Sequence, residues 1–181
     1  MIVSLSGTPG TGKTTVAKMI DRSDYVIIPM NELSRDYLGE YDEARATTEV
    51  EIDRLVQDIK DEVISIPQGT ETHTIIEGHL SHHLPVVRII VLRSSPKVLE
   101  ERLSHRDYTG EKIRENMEAE ALGVISIEAF ETGLPVNEID TTSLDPALVA
   151  NEIQKIIELE REPLSGPEHM IDYSGEIMEW Y

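Results

Sequence analysis

The segment GTPGTGKT, residues 7–14, constrains the fold of this 181-residue chain more than any other feature. Its residues Gly7, Gly12, Lys13 and Thr14 satisfy the pattern Gly-x-x-x-x-Gly-Lys-Ser/Thr, between a short β-branched run and an amphipathic helical pattern. Glycine reaches backbone angles that other residues avoid, so successive N–H groups can point at one anion. The lysine would neutralise β- and γ-phosphates, and the threonine hydroxyl would bind Mg²⁺. The sequence therefore predicts a site for a nucleoside triphosphate with magnesium.

Apolar runs alternate with helical patterns along the chain, which predicts a sheet flanked by helices. Strands are expected at 1–6, 25–29, 73–78, 86–93 and 137–140. Helices are expected at 13–22, 31–38, 48–66, 95–106, 110–131 and 145–162. This order is typical of α/β folds with a five-stranded, mainly parallel sheet, in which ligands bind at the carboxyl ends of the strands.

Charge and composition narrow the class of protein. The chain has 35 acidic and 16 basic residues and a net charge of −19, which disfavours binding to nucleic acid or anionic membranes. The same charge is compatible with a solvated acidic surface or with docking on a basic protein. The sequence has no cysteine, which excludes disulfides, thiolate metal sites and thiol nucleophiles. Because no apolar run approaches the length of a membrane span, we expect a soluble cytoplasmic protein.

Residues beyond the loop indicate whether the γ-phosphoryl group is transferred to water or to a small molecule. No Asn-Lys-x-Asp stretch follows a late strand, which argues against a GTPase. A small-molecule kinase instead needs arginines near the transferred group, because phosphoryl transfer depends on positioning and charge neutralisation. Four arginines are candidates: Arg35, Arg93, Arg106 and Arg114. A lone arginine more often lies on the surface, but Arg35 follows the second strand and Arg106 precedes a possible lid, so these two are favoured.

The third strand ends in Glu77-Gly78-His79. A carboxylate at this place can hold Mg²⁺ through water, and an imidazole two residues later can accept a proton or orient a water molecule. A solvent-facing strand end explains Glu77 equally well, because the usual acid is aspartate. The segment HLSHH, residues 79–83, has three imidazoles without a carboxylate or cysteine nearby, which predicts a polar loop rather than a metal site.

Several segments together resemble the nuclear-type adenylate kinases, isoenzyme six. They are GTPGTGKTT, ELSRDYL, YDEA, EIDRLV, IIEGH, IIVLR, VLEERLSHRDY and EN-x-EAE, in this order over about residues 1–160. The yeast member of that family acts in maturation of the small ribosomal subunit, and archaeal members are adenylate kinase homologues. Many members have aspartate where this chain has Glu77, which is one methylene longer.

The resemblance implies a P-loop nucleoside monophosphate kinase fold for residues 1–162. An NMP-binding segment would cover about 30–53, with Asp53 at its far end, and a short lid would cover about 105–115. ATP contacts are implied for Gly10, Gly12, Lys13, Thr14, Thr15 and Arg106. Arg35, in the ELSR motif, would contact the phosphate of AMP. The remaining tail, 163–181, is compatible with disorder or with docking through Met178, Trp180 and Tyr181.

Two functions follow from the motifs and the resemblance. The first is a broad-specificity adenylate kinase, ATP + AMP = 2 ADP, in which Lys13 and Mg²⁺ neutralise the phosphates, Arg35 and Arg106 position acceptor and donor, and Thr14 and Glu77 are Mg²⁺ ligands. The second is an ATPase-driven assembly factor for the small ribosomal subunit that acts on a basic ribosomal protein. His79 is the third candidate catalytic residue beside Lys13 and Arg106, and in the second function it would handle water together with Glu77. The long lid arginine set of ordinary adenylate kinases is absent, so poorer exclusion of water would favour ATP hydrolysis beside transfer.

Overall fold

The computed structural model describes residues 1–20, 23–42, 47–65, 72–159, 161–177 and 180, with backbone alone at 40–42, 47–49, 59 and 61–65. The strands are β1 (Ile2–Ser6), β2 (Tyr25–Pro29), β3 (Leu38–Asp42), β4 (Thr47–Val50), β5 (His73–Glu77), β6 (Arg88–Arg93) and β7 (Val136–Asp140). The α-helices are α1 (Lys13–Ala17), α2 (Met30–Leu33), α3 (Ile52–Ser65), α4 (Pro96–Ser104), α5 (Gly110–Ala121), α6 (Val124–Glu131), α7 (Pro146–Ile157) and α8 (Ser174–Ile177). Single 3-10 turns lie at Arg35–Tyr37, Ser81–His83 and Pro167–His169.

Five strands form one parallel sheet in the order β2-β5-β1-β6-β7. Side chains alternate between its faces, as the two-residue period of a strand requires. In β6, Ile90 and Leu92 pack with residues of α1 and α7, whereas Ile89 and Val91 pack with Leu55 of α3 and with α6. The sheet therefore has a core on each face, and the predicted five-stranded P-loop fold is confirmed.

The segment between β2 and α3 differs from the sequence prediction. A helix was expected to run to Gly39 and another to begin at residue 48. Instead, β3 and β4 form an antiparallel hairpin in which Leu38 pairs with Val50. The β-branched residues Thr47, Thr48 and Val50 favour extended backbone. This preference outweighs the helical pattern, which in the sequence begins four residues before α3.

Helix boundaries follow local signals. The helix expected at 110–131 is divided into α5 and α6 at Gly123, whose φ of 66° lies in the left-handed region. The predicted start of α7 is confirmed, because Asp145 accepts a hydrogen bond from the amide of Ala147 and Pro146 is the first helical residue. The first helix is shorter than expected, and residues 21 and 22 lie outside the described residues. Each described helix is too short or too polar to cross a lipid bilayer.

Candidate active site

The carboxyl ends of β1, β2 and β5 open into a cavity of about 670 Å³. The loop after β1, the segment after β2, the end of β5 and the connection between α4 and α5 form its walls. Lining residues are Pro9, Gly10, Gly12, Lys13, Thr14, Thr15, Pro29, Met30, Asn31, Glu32, Ser34, Leu38, Val50, Glu77, Gly78, His79, Leu80, Arg106 and Tyr108. The structure therefore brings the predicted nucleotide and Mg²⁺ contacts together at one cavity, namely Gly10, Gly12, Lys13, Thr14, Thr15, Glu77, His79 and Arg106. The other candidates, Arg35, Asp53, Arg93 and Arg114, do not line it.

The phosphate loop depends on glycine at two positions for different reasons. Gly12 has a φ of 97°, which other residues rarely adopt, although a Cβ would meet nothing within 4 Å. At Gly10, which also has a positive φ, a Cβ would lie 2.9 Å from the Leu99 side chain of α4. Gly12 therefore serves the loop's conformation, and Gly10 allows α4 to approach the loop.

Lys13 is buried beneath this loop. Its Nζ donates hydrogen bonds to the carbonyl oxygens of Gly7 at 2.5 Å and Thr8 at 3.1 Å. Burial lowers the pKa of Lys13 to about 8, although the nearby carboxylates of Glu77 and Glu120 oppose this shift. The ammonium group is thus held at the phosphate loop and is only partly compensated by negative charge, so a bound phosphate would stabilise it.

Glu120 of α5 is buried and holds the phosphate loop through a hydrogen bond from Thr8. The sequence analysis missed this role. Its carboxylate accepts hydrogen bonds from Thr8 Oγ1 at 2.5 Å, from Arg93 Nε at 2.8 Å and from the Ser94 amide at 2.9 Å. The available signal was an acidic residue between Met117 and Ala121 on the buried side of α5. A carboxylate at such a position needs partners, because an unpaired buried charge is strongly destabilising.

Arg93 does not line the cavity. Its side chain is 1% exposed and pairs with Glu120 and, at 2.6 Å, with Glu138. The candidate role of this arginine at the transferred phosphate was therefore wrong, because both acids hold the guanidinium within the protein. Arg93 also donates to the carbonyl of Ile171 at 3.0 Å, and this contact attaches the C-terminal segment to the same network.

Thr14 and Glu77 form a pair of oxygen donors in the cavity. The Thr14 hydroxyl donates to Oε1 of Glu77 at 3.2 Å and lies 3.3 Å from Oε2. Oxygen ligands of this kind suit Mg²⁺, which keeps several water molecules and uses few protein ligands. The longer glutamate side chain therefore reaches the threonine, and both residues fit the predicted Mg²⁺ site.

His79, which follows β5, and Arg106, which lies between α4 and α5, both line the cavity. The His79 side chain is exposed to solvent at the cavity, but desolvation by the surrounding protein atoms, followed by the charge of Lys13, lowers its pKa to about 4, so the imidazole is neutral at pH 7. A neutral ring can orient water but adds no positive charge to a phosphate. Arg106 and Tyr108 are exposed on the connection between α4 and α5. Tyr108 also lines the cavity, and the sequence analysis did not name it. It lies in the same SHRDY motif as Arg106, so the motif was the available signal.

Arg35 and Asp53 lie away from the cavity wall. Arg35 is exposed in the 3-10 turn Arg35–Tyr37, and Asp53 is exposed in the first turn of α3. Asn31, Glu32 and Ser34 of the same segment line the cavity instead. The role of Arg35 at the AMP phosphate stays a prediction.

The C-terminal segment is docked. The Ile171 amide donates to Glu138 at 2.5 Å, and the hydroxyl of Tyr173 lies 3.1 Å from Thr142 Oγ1. Trp180 lines a second cavity, of about 380 Å³, with Met117 and other residues of α4 and α5. Of the two alternatives for the tail, disorder or docking, the contacts of Ile171, Tyr173 and Trp180 favour docking, and Met178 and Tyr181 lie outside the described residues.

The HLSHH segment is not simply a polar loop. His82 is buried, and its Nε2 lies 3.0 Å from Oε2 of Glu128 in α6. The statement that no carboxylate is near these imidazoles was therefore wrong. Burial lowers the pKa of His82 to about 4, so this ring also is neutral at pH 7.

Comparisons with known proteins show to which family the chain belongs. Residues 3–123 match a family model described as AAA domain. A protein named "Putative adenylate kinase" from Thermococcus onnurineus is 35% identical over 177 residues, which cover 97% of this chain and 93% of that protein. One of the same name from Methanosarcina barkeri is 40% identical and covers 99% of this chain and 97% of its own length. The chain belongs to the same family as these archaeal proteins named "Putative adenylate kinase".

Two solved kinase structures share the fold of this chain. Deoxyadenosine kinase from M. mycoides has a TM-score of 0.56 and 15% identity, with 89% of this chain and 100% of that chain covered. Shikimate kinase from Acinetobacter baumannii has a TM-score of 0.58 and 15% identity, with 88% and 94% covered. The narrower resemblance to isoenzyme six stays a prediction for this archaeal-type chain.

Proposed function

We propose that this chain is a Mg²⁺-dependent nucleoside monophosphate kinase that transfers the γ-phosphoryl group of ATP to AMP. One observation carries the proposal: a single cavity joins the phosphate loop to the segment that follows β2. A donor nucleotide on the loop and an acceptor on that segment would place their phosphates side by side. The adenylate kinase names of the archaeal relatives support AMP as the acceptor.

The donor side uses Gly10, Gly12, Lys13, Thr14 and Thr15. Lys13 is placed to stabilise the negative charge of the β- and γ-phosphates, since its ammonium group already lies against the loop carbonyls. Thr14 and, through water, Glu77 would hold Mg²⁺, which would neutralise negative charge on the phosphates. The loop amides and the lysine position the triphosphate for in-line attack.

The acceptor side uses the segment over about 30–53. An oxygen of the AMP phosphate attacks the γ-phosphorus, the bond to the oxygen that bridges the β- and γ-phosphates breaks, and two ADP molecules result. Arg35 would hold the AMP phosphate after this segment closes. Arg106, from the lid over about 105–115, would contact the ATP phosphates. The reaction needs no covalent enzyme intermediate.

ATP hydrolysis is a second activity of the same site. The neutral His79 ring at the open cavity can orient a water molecule, and the exposed Arg106 and Tyr108 leave the site accessible to solvent. An assembly factor that couples hydrolysis to a basic ribosomal protein is the alternative function, and the net charge of −19 is its support.

A coupled assay of ADP formation, with and without AMP and with CMP, GMP or UMP in its place, tests the proposal. We expect AMP to give the fastest ADP formation. Arg35→Ala should lose AMP-dependent turnover and keep hydrolysis, whereas Arg161→Ala, an exposed arginine that pairs with Glu152, should resemble wild type. Full AMP turnover by Arg35→Ala would overturn the acceptor-site assignment.

A further inference from the structure

Two imidazoles and a carboxylate meet behind the active site, between the 3-10 turn Ser81–His83 and α6. One ligand atom from each of His82, His83 and Glu128 lies within 4.8 Å of the other two. Glu128 follows His82 by 46 residues and meets it because α6 packs beside the turn. This group is separate from the predicted Mg²⁺ ligands Thr14 and Glu77.

Ser6 fixes the orientation of the His82 ring. Its Oγ lies 2.9 Å from Nδ1 of His82 and 3.0 Å from the carbonyl oxygen of His79. A carbonyl oxygen only accepts, and a serine hydroxyl has one proton to donate. When Ser6 donates to His79, it can only accept from His82, so Nδ1 carries the ring proton and Nε2 carries the lone pair.

The lone pair of Nε2 then faces a carboxylate. Oε2 of Glu128 lies 3.0 Å away, so two acceptors oppose each other in a site where the His82 side chain is 0% exposed. A cation between these atoms would replace their repulsion with two favourable bonds. An imidazole whose other nitrogen donates to an oxygen is the usual arrangement of a metal-bound histidine.

His83 supplies the third ligand and an entry path. Its ring centroid lies 4.0 Å from that of His82, and its side chain is exposed. Glu128 is 39% exposed, so both side chains can rotate toward an entering ion. Ligand atoms of a tetrahedral zinc ion lie about 3.4 Å apart, so the 3.0 Å pair is close to this spacing and a rotation of His83 would complete it.

We propose that His82, His83 and Glu128 form a site for a divalent transition metal of the zinc class, with water as the fourth ligand. Two imidazoles and one carboxylate suit Zn²⁺, whereas Mg²⁺ prefers oxygen ligands alone. The metal would tie α6 to the turn that follows His79. It would also hold Ser6, the residue that precedes the phosphate loop, through the His82 ring.

The test measures binding of Zn²⁺ alone to the nucleotide-free, chelator-treated protein, by competition with a chromogenic zinc chelator. We expect one equivalent to bind, with little competition from Mg²⁺. Glu128→Gln and His83→Asn should each weaken binding by at least about tenfold, because each removes a ligand. His169→Asn is the matched control, since His169 lies 3.4 Å from Glu168 in an exposed pair, and it should bind zinc as wild type does.

A crystal soaked in Zn²⁺ locates the ion directly. We expect an anomalous-scattering peak between His82 Nε2 and Glu128. Failure to bind, unchanged binding in both variants, or a peak elsewhere would overturn the proposal. The three groups would then form a hydrogen-bond relay with the proton on Nε2. Both replaced side chains are at least partly exposed, and circular dichroism would verify that the variants fold.

Discussion

The hydroxyl of Thr14 lies 3.2 Å from the carboxylate of Glu77, so the phosphate loop and the end of β5 meet in one pair of oxygen donors. Thr14 is the first threonine after the loop lysine, and Glu77 comes from a strand 63 residues away. The contact supports a shared Mg²⁺ rather than a solvent-facing glutamate. Lys13 lines the same cavity, so the proposed metal site would lie beside its ammonium group.

Replacement of Glu77 tests this metal site. Glu77→Gln keeps the side-chain volume but removes the charge, and we expect kcat to fall about tenfold or more with a higher Mg²⁺ concentration needed for half-maximal rate. Initial rates over a Mg²⁺ titration provide the measurement. Glu77→Asp retains the carboxylate and should keep more activity than Glu77→Gln. An unchanged Mg²⁺ dependence in Glu77→Gln would exclude Glu77 as a ligand.

The pKa of Lys13 predicts how stability depends on pH. It falls from 10.5 to about 8 in the folded protein, so between these values the unfolded chain binds more protons than the folded chain. The free energy of unfolding should therefore rise with pH in this window. Relative to Lys13→Met, which lacks the titrating group, wild type should gain about 1–2 kcal/mol between pH 8 and about pH 9.5. Urea denaturation at several pH values measures this difference, and a constant difference would contradict the lowered pKa.

Glu120 is predicted to support both stability and the phosphate loop. Glu120→Gln breaks the buried pair with Arg93 and weakens the contact with Thr8, so we expect a loss of about 3 kcal/mol in the free energy of unfolding. Denaturant unfolding and ATP titration measure the two effects. The control is Glu115→Gln, which breaks the exposed pair with Lys112 and should cost less than about 1 kcal/mol. Equal losses in the two variants would show that the network is not structurally important.

His79 is predicted to act on water rather than on AMP transfer. Because its pKa of about 4 leaves the ring neutral, His79→Gln removes no charge from the site at pH 7. We expect AMP-dependent ADP formation to stay within about threefold and phosphate release without AMP to fall about tenfold. His169→Gln provides the control outside the cavity. A large loss of transfer with unchanged hydrolysis would reverse the assignment.

Local patterns predicted the parts of the site that depend on short sequence spacing. The phosphate loop follows from Gly7 to Thr14, and Glu77 follows from the rule that ligands gather at the carboxyl ends of parallel strands. The β3–β4 hairpin was missed because a helical pattern and β-branched residues overlap there. Glu120 and Glu128 were missed because their partners are distant in sequence and meet them only after α5 and α6 pack on the sheet.

The most direct test of the proposed function follows a label from AMP to ADP. AMP that carries an isotope in its phosphate is incubated with ATP, Mg²⁺ and the protein, and the nucleotides and inorganic phosphate are separated over time. A nucleoside monophosphate kinase would convert labelled AMP to labelled ADP much faster than it releases phosphate, and Lys13→Ala would lose this conversion. Phosphate release with unchanged labelled AMP would contradict the proposal and indicate an ATPase.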